Sequence, residues 1–163
     1  MQSDVPQNLE QLGPYQLVEK LGEGAAGAVY RAGHDILERE YAIKVVHHQL
    51  TANEIFRQRF YRESRLAARL KHPNIVDIIT ADNDGDYYYL VMEYVEGPSL
   101  EKKVRQQPLP TWQAVCYVKQ VLAGLEYVHE QGILHRDVKA DNVLISDDGT
   151  PKLVDFGLVL DVN

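Results

Sequence analysis

From Tyr15 onward the chain reads as short apolar runs broken by polar turns. Tyr15-Gln16-Leu17-Val18-Glu19-Lys20-Leu21 is strand-like and runs into a glycine cluster. Val29-Tyr30-Arg31-Ala32 and Tyr41-Ala42-Ile43-Lys44-Val45-Val46 are further β runs. Over 54–70 the period becomes helical: Phe56, Phe60, Glu63, Ala67 and Leu70 share one stripe, with Arg62, Arg65 and Arg69 off it. Ile75 to Thr80 and Tyr87 to Tyr94 return to strand, with Asp82-Asn83-Asp84-Gly85-Asp86 as the turn between them. Beyond Gly97-Pro98 the composition shifts to helix. Thr111 is the expected N-cap of a helix whose stripe is Ala114, Val118, Val121, Leu125 and Val128, and Gly132 is its stop. Two last β runs, Val143-Leu144-Ile145 and Lys152-Leu153-Val154, flank a turn at 146–150. The pattern predicts an α+β chain: a polar leader over 1–13, a mostly β first part over about 14–94, and a helical second part over about 99–163, joined near 93–98. No internal repeat is visible.

Composition narrows the class. The 163 residues are 45% hydrophobic and 25% charged, ordinary for a folded domain, which excludes a disordered chain or a collagen-like fibre. With 17 Lys+Arg against 24 Asp+Glu the net charge is −7, which argues against a non-specific nucleic-acid binder. Cys116 is the only cysteine, so no intrachain disulfide forms; its surroundings, Ala114-Val115-Cys116-Tyr117-Val118, read as core or near-core. Residues 1–12 carry no signal-peptide pattern, and no stretch approaches the ~18 apolar residues of a membrane span. The expectation is a soluble, cytoplasmic chain with no membrane segment.

Chemistry enters at the glycines. Gly22-Glu23-Gly24-Ala25-Ala26-Gly27-Ala28-Val29 matches GxGxxGxV. Alone, this spacing also opens dinucleotide-binding βαβ units. Those need a helix directly after the glycines, whereas here a strand follows, so the expected element is a β-hairpin whose tip covers phosphates with backbone N–H groups. Period-2 alternation puts Ala42 and Lys44 on one strand face, a small residue that leaves room for a flat ring beside a cation for its phosphates. Glu63 sits mid-stripe in an apolar helix face and needs a cation; Lys44 is the candidate, with a helix rotated to leave Glu63 at the solvent boundary as the alternative. The strongest signal is His135-Arg136-Asp137-Val138-Lys139-Ala140-Asp141-Asn142, followed by Asp155-Phe156-Gly157. Asp137 is a carboxylate able to accept a hydroxyl proton, Lys139 a cation able to neutralise a transferring phosphoryl group, and Asn142 and Asp155 are oxygen ligands of the kind Mg²⁺ takes. His47-His48 lacks further metal ligands and reads as surface. The 82–86 run lacks the glycine a calcium loop requires at its sixth place, where Tyr87 stands.

Together these motifs make the chain resemble a eukaryotic-type (Hanks-type) Ser/Thr protein kinase in its bacterial form, from about Tyr15 to Gly157, with His72-Pro73-Asn74-Ile75-Val76 and the Met92-Glu93-Tyr94-Val95 hinge included. The resemblance implies a kinase-like α+β fold: an antiparallel β N-lobe with one helix, then the first part of a mainly helical C-lobe. It implies ATP and Mg²⁺ as cofactors and protein substrates with Ser/Thr acceptors. On this reading Leu21, Gly22, Gly24 and Gly27 cover the nucleotide, and Lys44, paired to Glu63, holds its α/β-phosphates. Val29, Ala42 and Leu144 sandwich the adenine, Met92 closes the back of the pocket, and backbone groups of Glu93 and Val95 meet the adenine edge. Asp137 is the catalytic base, Lys139 contacts the γ-phosphate, and Asn142 and Asp155 hold the metal. His135 and Phe156 are implied to pack in an internal spine with Ala67 and Ile78.

The family pattern is departed from at Ala26, where an aromatic tip is common, and at Ala140, where proline is common. Six residues follow Gly157, so the activation segment and the later helices are not in the chain. The expectation is a fragment of a longer kinase, with an apolar face of helix 111–130 that binds a hydrophobic dye or drives self-association. A non-catalytic nucleotide-binding or scaffold module of the same fold is the alternative.

Overall fold

The computed structural model describes residues 9–155. Their strands pair into an antiparallel six-stranded sheet, formed by β1 (Gln11–Leu12), β2 (Tyr15–Gly24), β3 (Gly27–His34), β4 (Glu40–Val46), β5 (Ile78–Asp84) and β6 (Tyr87–Glu93), in the order β1-β2-β3-β4-β6-β5. Between β4 and β5 lie α1 (His48–Thr51) and α2 (Glu54–Ala67); later come α3 (Leu100–Gln106), α4 (Thr111–Glu130) and a hairpin of β7 (Val143–Ile145) and β8 (Pro151–Leu153). The described residues form two compact units, 9–69 with 78–94 and 70–77 with 95–155.

In the first unit, strand alternation divides the side chains between two faces. Ala28, Tyr30 and Ala32 of β3, Tyr41, Ile43 and Val45 of β4, and Tyr89 and Val91 of β6 form one buried cluster, joined by Leu12 and Tyr15. Its rings meet edge to face, Tyr15 with Tyr41 at 5.7 Å and with Tyr89 at 6.3 Å, a geometry contributing ~0.5–1.5 kcal/mol per pair beyond area burial. Burial, with the Asp82 carboxylate as a second cause, pushes the Tyr89 hydroxyl up to about 12. A second cluster packs Val46 with Phe56 and Phe60 of α2, and Phe60 lies 5.9 Å from the Tyr88 ring. The start of α2 is fixed by Asn53, whose Oδ1 accepts the N–H groups of Ile55 and Phe56.

In the second unit, residues 70–77 lie on α4. His72 stacks on Tyr127 at 5.3 Å, and Gly124 leaves room for Ile75 and the Asn74 carbonyl. Buried Asn74 donates to the Pro151 carbonyl (2.9 Å) and to Gln120 (3.2 Å), while the Val76 N–H donates to the Leu153 carbonyl and the Leu153 N–H to that of Asn74 across the same seam. Gly97, at φ 149°, passes so close to the Ile145 carbonyl that a Cβ would sit 1.8 Å from it.

The α+β class, the hairpin order and the long helices follow the sequence pattern. Several details do not. The sheet begins at Gln11, inside the expected leader, because Leu12 is buried in the tyrosine cluster. Ile75 and Val76 are not part of β5; they bind β8, so 70–77 belongs to the second unit. Thr111 is the first residue of α4 rather than its cap, which is Pro110. The buried face of α4 is Tyr117, Val121, Gly124 and Val128, leaving Val118 53% exposed and Cys116 exposed rather than near-core. That helix is apolar around most of its girth, so periodicity alone admits more than one rotation. Phe156 and Gly157 lie outside the described residues, as do residues 1–8.

Candidate active site

The glycine motif closes as a two-residue hairpin: Gly24 pairs with Gly27 and the turn is Ala25-Ala26. Gly22 and Gly24 have open space where a Cβ would be. Gly27 is constrained, since a Cβ there would lie 2.0 Å from the Val45 carbonyl oxygen of the neighbouring strand. The hairpin therefore keeps two glycines for backbone exposure and one for close strand approach.

The sheet face opposite the tyrosine cluster gathers the expected ring-and-phosphate residues. Val29 is the register partner of Lys44, and Ala42 that of Met92, so all four side chains share one face. Lys44 is only 9% exposed, far from an ordinary solvated strand lysine, and Met92 is buried. Leu21 is exposed at the end of the glycine strand and Glu93 is half-buried at the end of β6. Glu63 does not join them. No ion pair or hydrogen bond between described residues connects it to Lys44; α2 presents Ser64 to the interior and leaves Glu63 half-buried. Both positions follow Phe60 by a helical step, so a small rotation exchanges them.

The second unit holds the other residues. After α4 the chain makes no regular structure until a single 3₁₀ turn at Ala140–Asn142, and side-chain bonds fix its path. Buried His135 (1% exposed) binds the Val154 carbonyl through Nε2 at 2.8 Å and accepts the Asp137 N–H at Nδ1, 3.3 Å. A carbonyl only accepts and an amide only donates, so this ring is neutral with its hydrogen on Nε2. Burial pushes its pKa below the usual imidazole value, which agrees. Arg136, at φ 64°, takes the left-handed conformation that turns Asp137 back toward the following residues.

Asp137 is the centre of this loop. Its Oδ2 accepts Lys139 Nζ at 2.8 Å and Asn142 Nδ2 at 2.9 Å, and its carbonyl accepts the same Asn142 amide at 2.8 Å. The Lys139 ammonium, then the Asn142 amide, hold the Asp137 carboxyl below the usual range, and the carboxylate raises Lys139 in return. Because Asn142 spends its nitrogen on Asp137, its oxygen is directed away as an acceptor. The Asn142 carbonyl accepts the Val154 N–H at 2.9 Å, and Asp155 follows at φ 57°, a strained left-handed conformation for a non-glycine residue. The loop thus brings Asp137, Lys139 and Asn142 into direct contact and sets Asp155 one residue beyond their ladder. Of the residues expected from the sequence to meet an adenine in this unit, Val95 is buried and Leu144 is half-buried in β7, bridged to Ser99.

Sequence reasoning overlooked His47, expected at the surface. It is half-buried and bonded to the glycine hairpin, while its neighbour His48 is exposed. Among the described residues no cluster of three or more His, Cys, Asp or Glu forms a metal site, and no helix is long and apolar enough to cross a membrane.

Comparison with known proteins gives the family and the fold. The family described as "Protein kinase domain" matches residues 15–163. The chain is 39% identical over 156 residues to the Myxococcus xanthus serine/threonine-protein kinase pkn2, covering 94% of this chain and 19% of that protein. It is 39% identical over 147 residues to Bacillus subtilis serine/threonine-protein kinase PrkC, covering 90% and 23%. The crystal structure of the Mycobacterium tuberculosis PknI kinase domain superposes with a TM-score of 0.77 at 33% identity, covering 97% of this chain and 63% of that one. The chain therefore spans about a fifth of the two curated relatives' length.

Proposed function

The chain belongs to the protein kinase family, among relatives named serine/threonine-protein kinases, and from that premise we propose that it carries the nucleotide-binding and catalytic-loop part of an ATP- and Mg²⁺-dependent Ser/Thr protein kinase. The observation that carries the proposal is the Asp137 carboxylate, held by Lys139 and Asn142 in one hydrogen-bonded set. A carboxylate kept ionised by a cation and an amide is ready to orient a hydroxyl and take its proton. In the transfer, the acceptor oxygen bonds to the γ-phosphorus, the bond to the departing diphosphate breaks, and the hydroxyl proton passes to Asp137. Lys139, already beside Asp137, has the charge to neutralise the phosphoryl oxygens as they move.

The donor set suits a magnesium ion: the Asn142 oxygen directed away from Asp137 and the Asp155 carboxylate are the hard oxygens it prefers. When bound, the ion would neutralise phosphate charge. Lys44, buried on the sheet face with Val29, Ala42 and Met92, is suited to a polyphosphate beneath a flat ring. Glu63 is not bonded to Lys44 in this arrangement; joining them requires α2 to turn Glu63 inward in place of Ser64. The acceptor is a Ser or Thr hydroxyl of a protein.

The test is Asp137→Asn in the kinase as its gene encodes it. Phosphate transfer from ATP to a generic Ser/Thr protein falls by roughly 10²–10⁴-fold while MgATP binding by calorimetry persists. No transfer by the wild type despite MgATP binding would instead favour the scaffold reading, and equal, measurable transfer by wild type and variant would remove Asp137 as the base.

A further inference from the structure

His47 is a chemically distinctive side chain at the glycine hairpin that the proposed transfer does not use. It follows directly on β4, and its backbone N–H donates to the Ala26 carbonyl at 3.0 Å, one rung beyond the last β3–β4 register pair, Gly27 with Val46. Its ring reaches the other arm: Nε2 lies 3.1 Å from the Gly24 carbonyl oxygen. That carbonyl only accepts, so the hydrogen is on Nε2. The other ring nitrogen, Nδ1, is buried and has no hydrogen-bond partner among the described residues. A buried, unpaired nitrogen is costly, and a ring held in place at that cost is holding something else.

What it holds is the hairpin tip. Gly22 and Gly24 present no side chain, and nothing packs where their Cβ atoms would be, so these two residues give the hairpin no apolar anchor. Outside the sheet ladder, both hydrogen bonds that reach residues 24–26 from the rest of the described chain come from His47. A trans peptide keeps C=O and N–H antiparallel, so drawing the Gly24 oxygen toward His47 turns the Ala25 N–H the opposite way. We propose that His47 is a positioning residue for phosphate binding, a two-armed clamp that pre-sets the glycine-hairpin amides for a nucleotide's phosphates. The inference rests on the nucleotide reading above and adds a residue to it. Pre-set amides lose less freedom on binding, so the gain appears in affinity for the phosphates and not for the base.

Calorimetry with MgATP and with adenosine, on the full chain and its variants, tests this. The backbone arm persists in every variant, which isolates the ring. His47→Ala raises the Kd for MgATP about five- to tenfold, the range of one lost hydrogen bond, and changes that for adenosine by less than about twofold. His47→Gln, whose Nε2 occupies nearly the same place, restores the wild-type value; His47→Asn, with its amide too short, does not. Hydrogen exchange without nucleotide speeds up at residues 24–28 in the Ala and Asn variants and not in the Gln variant. An unchanged MgATP Kd in His47→Ala, or an equal loss for adenosine, overturns the positioning role. Unchanged exchange overturns the clamp itself. If the wild type binds neither ligand, the nucleotide reading falls and the positioning role with it, whereas the exchange result still decides whether the clamp exists.

Discussion

The glycine hairpin and the catalytic loop reach order by opposite routes. The hairpin is regular backbone: ladder bonds, a two-residue turn, glycine where strands approach closely, and a single histidine at its tip. The catalytic loop has almost no ladder. Its path depends on His135, Asp137 and Asn142 side chains bonding backbone groups and one another, with left-handed φ at Arg136 and Asp155. In the first, changing the backbone does the damage; in the second, changing side-chain atoms does.

The sharpest contrast comes from two substitutions. Asp137→Asn leaves the loop folded, since its ion pair with Lys139 is about half exposed and contributes little to stability, yet removes the proposed base and, on that proposal, the bulk of phosphate transfer. Its thermal midpoint stays close to that of the wild type, which melting by circular dichroism checks. Gly27→Ala reverses the pattern. One added carbon meets the Val45 carbonyl, β3 is forced from β4, and stability falls by about 2–4 kcal/mol with no reactive group touched. A Gly27→Ala protein as stable as wild type would erase the distinction.

A smaller effect probes the neutral ring of His135. Its folded pKa is depressed below the 6.5 of a free imidazole, so below that pH the unfolded chain binds the extra proton first. Stability is full above about pH 6.5 and declines as pH falls toward the depressed value. Replacement by Phe flattens that decline, as denaturant titrations between about pH 7 and pH 5 show. The smallest effect lies in the β7–β8 turn. The Ser146 hydroxyl, then the Thr150 N–H, hold the exposed Asp148 carboxyl down to about 2 from 3.8. Its contribution is present above pH 3.8 and fades from there toward pH 2, and Asp148→Asn removes that portion of the acid transition.

The sequence discloses these regions unequally. Alternation in Tyr41–Val46 places Ala42 with Lys44 correctly, because a strand's side-chain period of two leaves no freedom. Helices leave some. After Phe60 a step of either three or four residues can return to the interior, and Ser64 rather than Glu63 takes that place. In α4 apolar residues occur on so many sides that only contact with 70–77 settles which face is buried. Asp137, Lys139 and Asn142 were legible as a motif, but the bonds among them need the 3₁₀ turn that folds 142 back onto 137. His47 was opaque, since its partner Gly24 lies 23 residues earlier and meets it only once three strands have paired.

Gly124 has a practical meaning for anyone trying to toughen this molecule. Exchanging a mid-helix glycine for alanine is an engineer's routine gain of ~1 kcal/mol. Here the new methyl would press on Ile75 at 3.1 Å and on the Asn74 carbonyl at 3.3 Å, loosening the seam that Asn74 stitches to Pro151. The sounder choice is to leave that notch alone and harden the helix at outward positions such as Val118 instead.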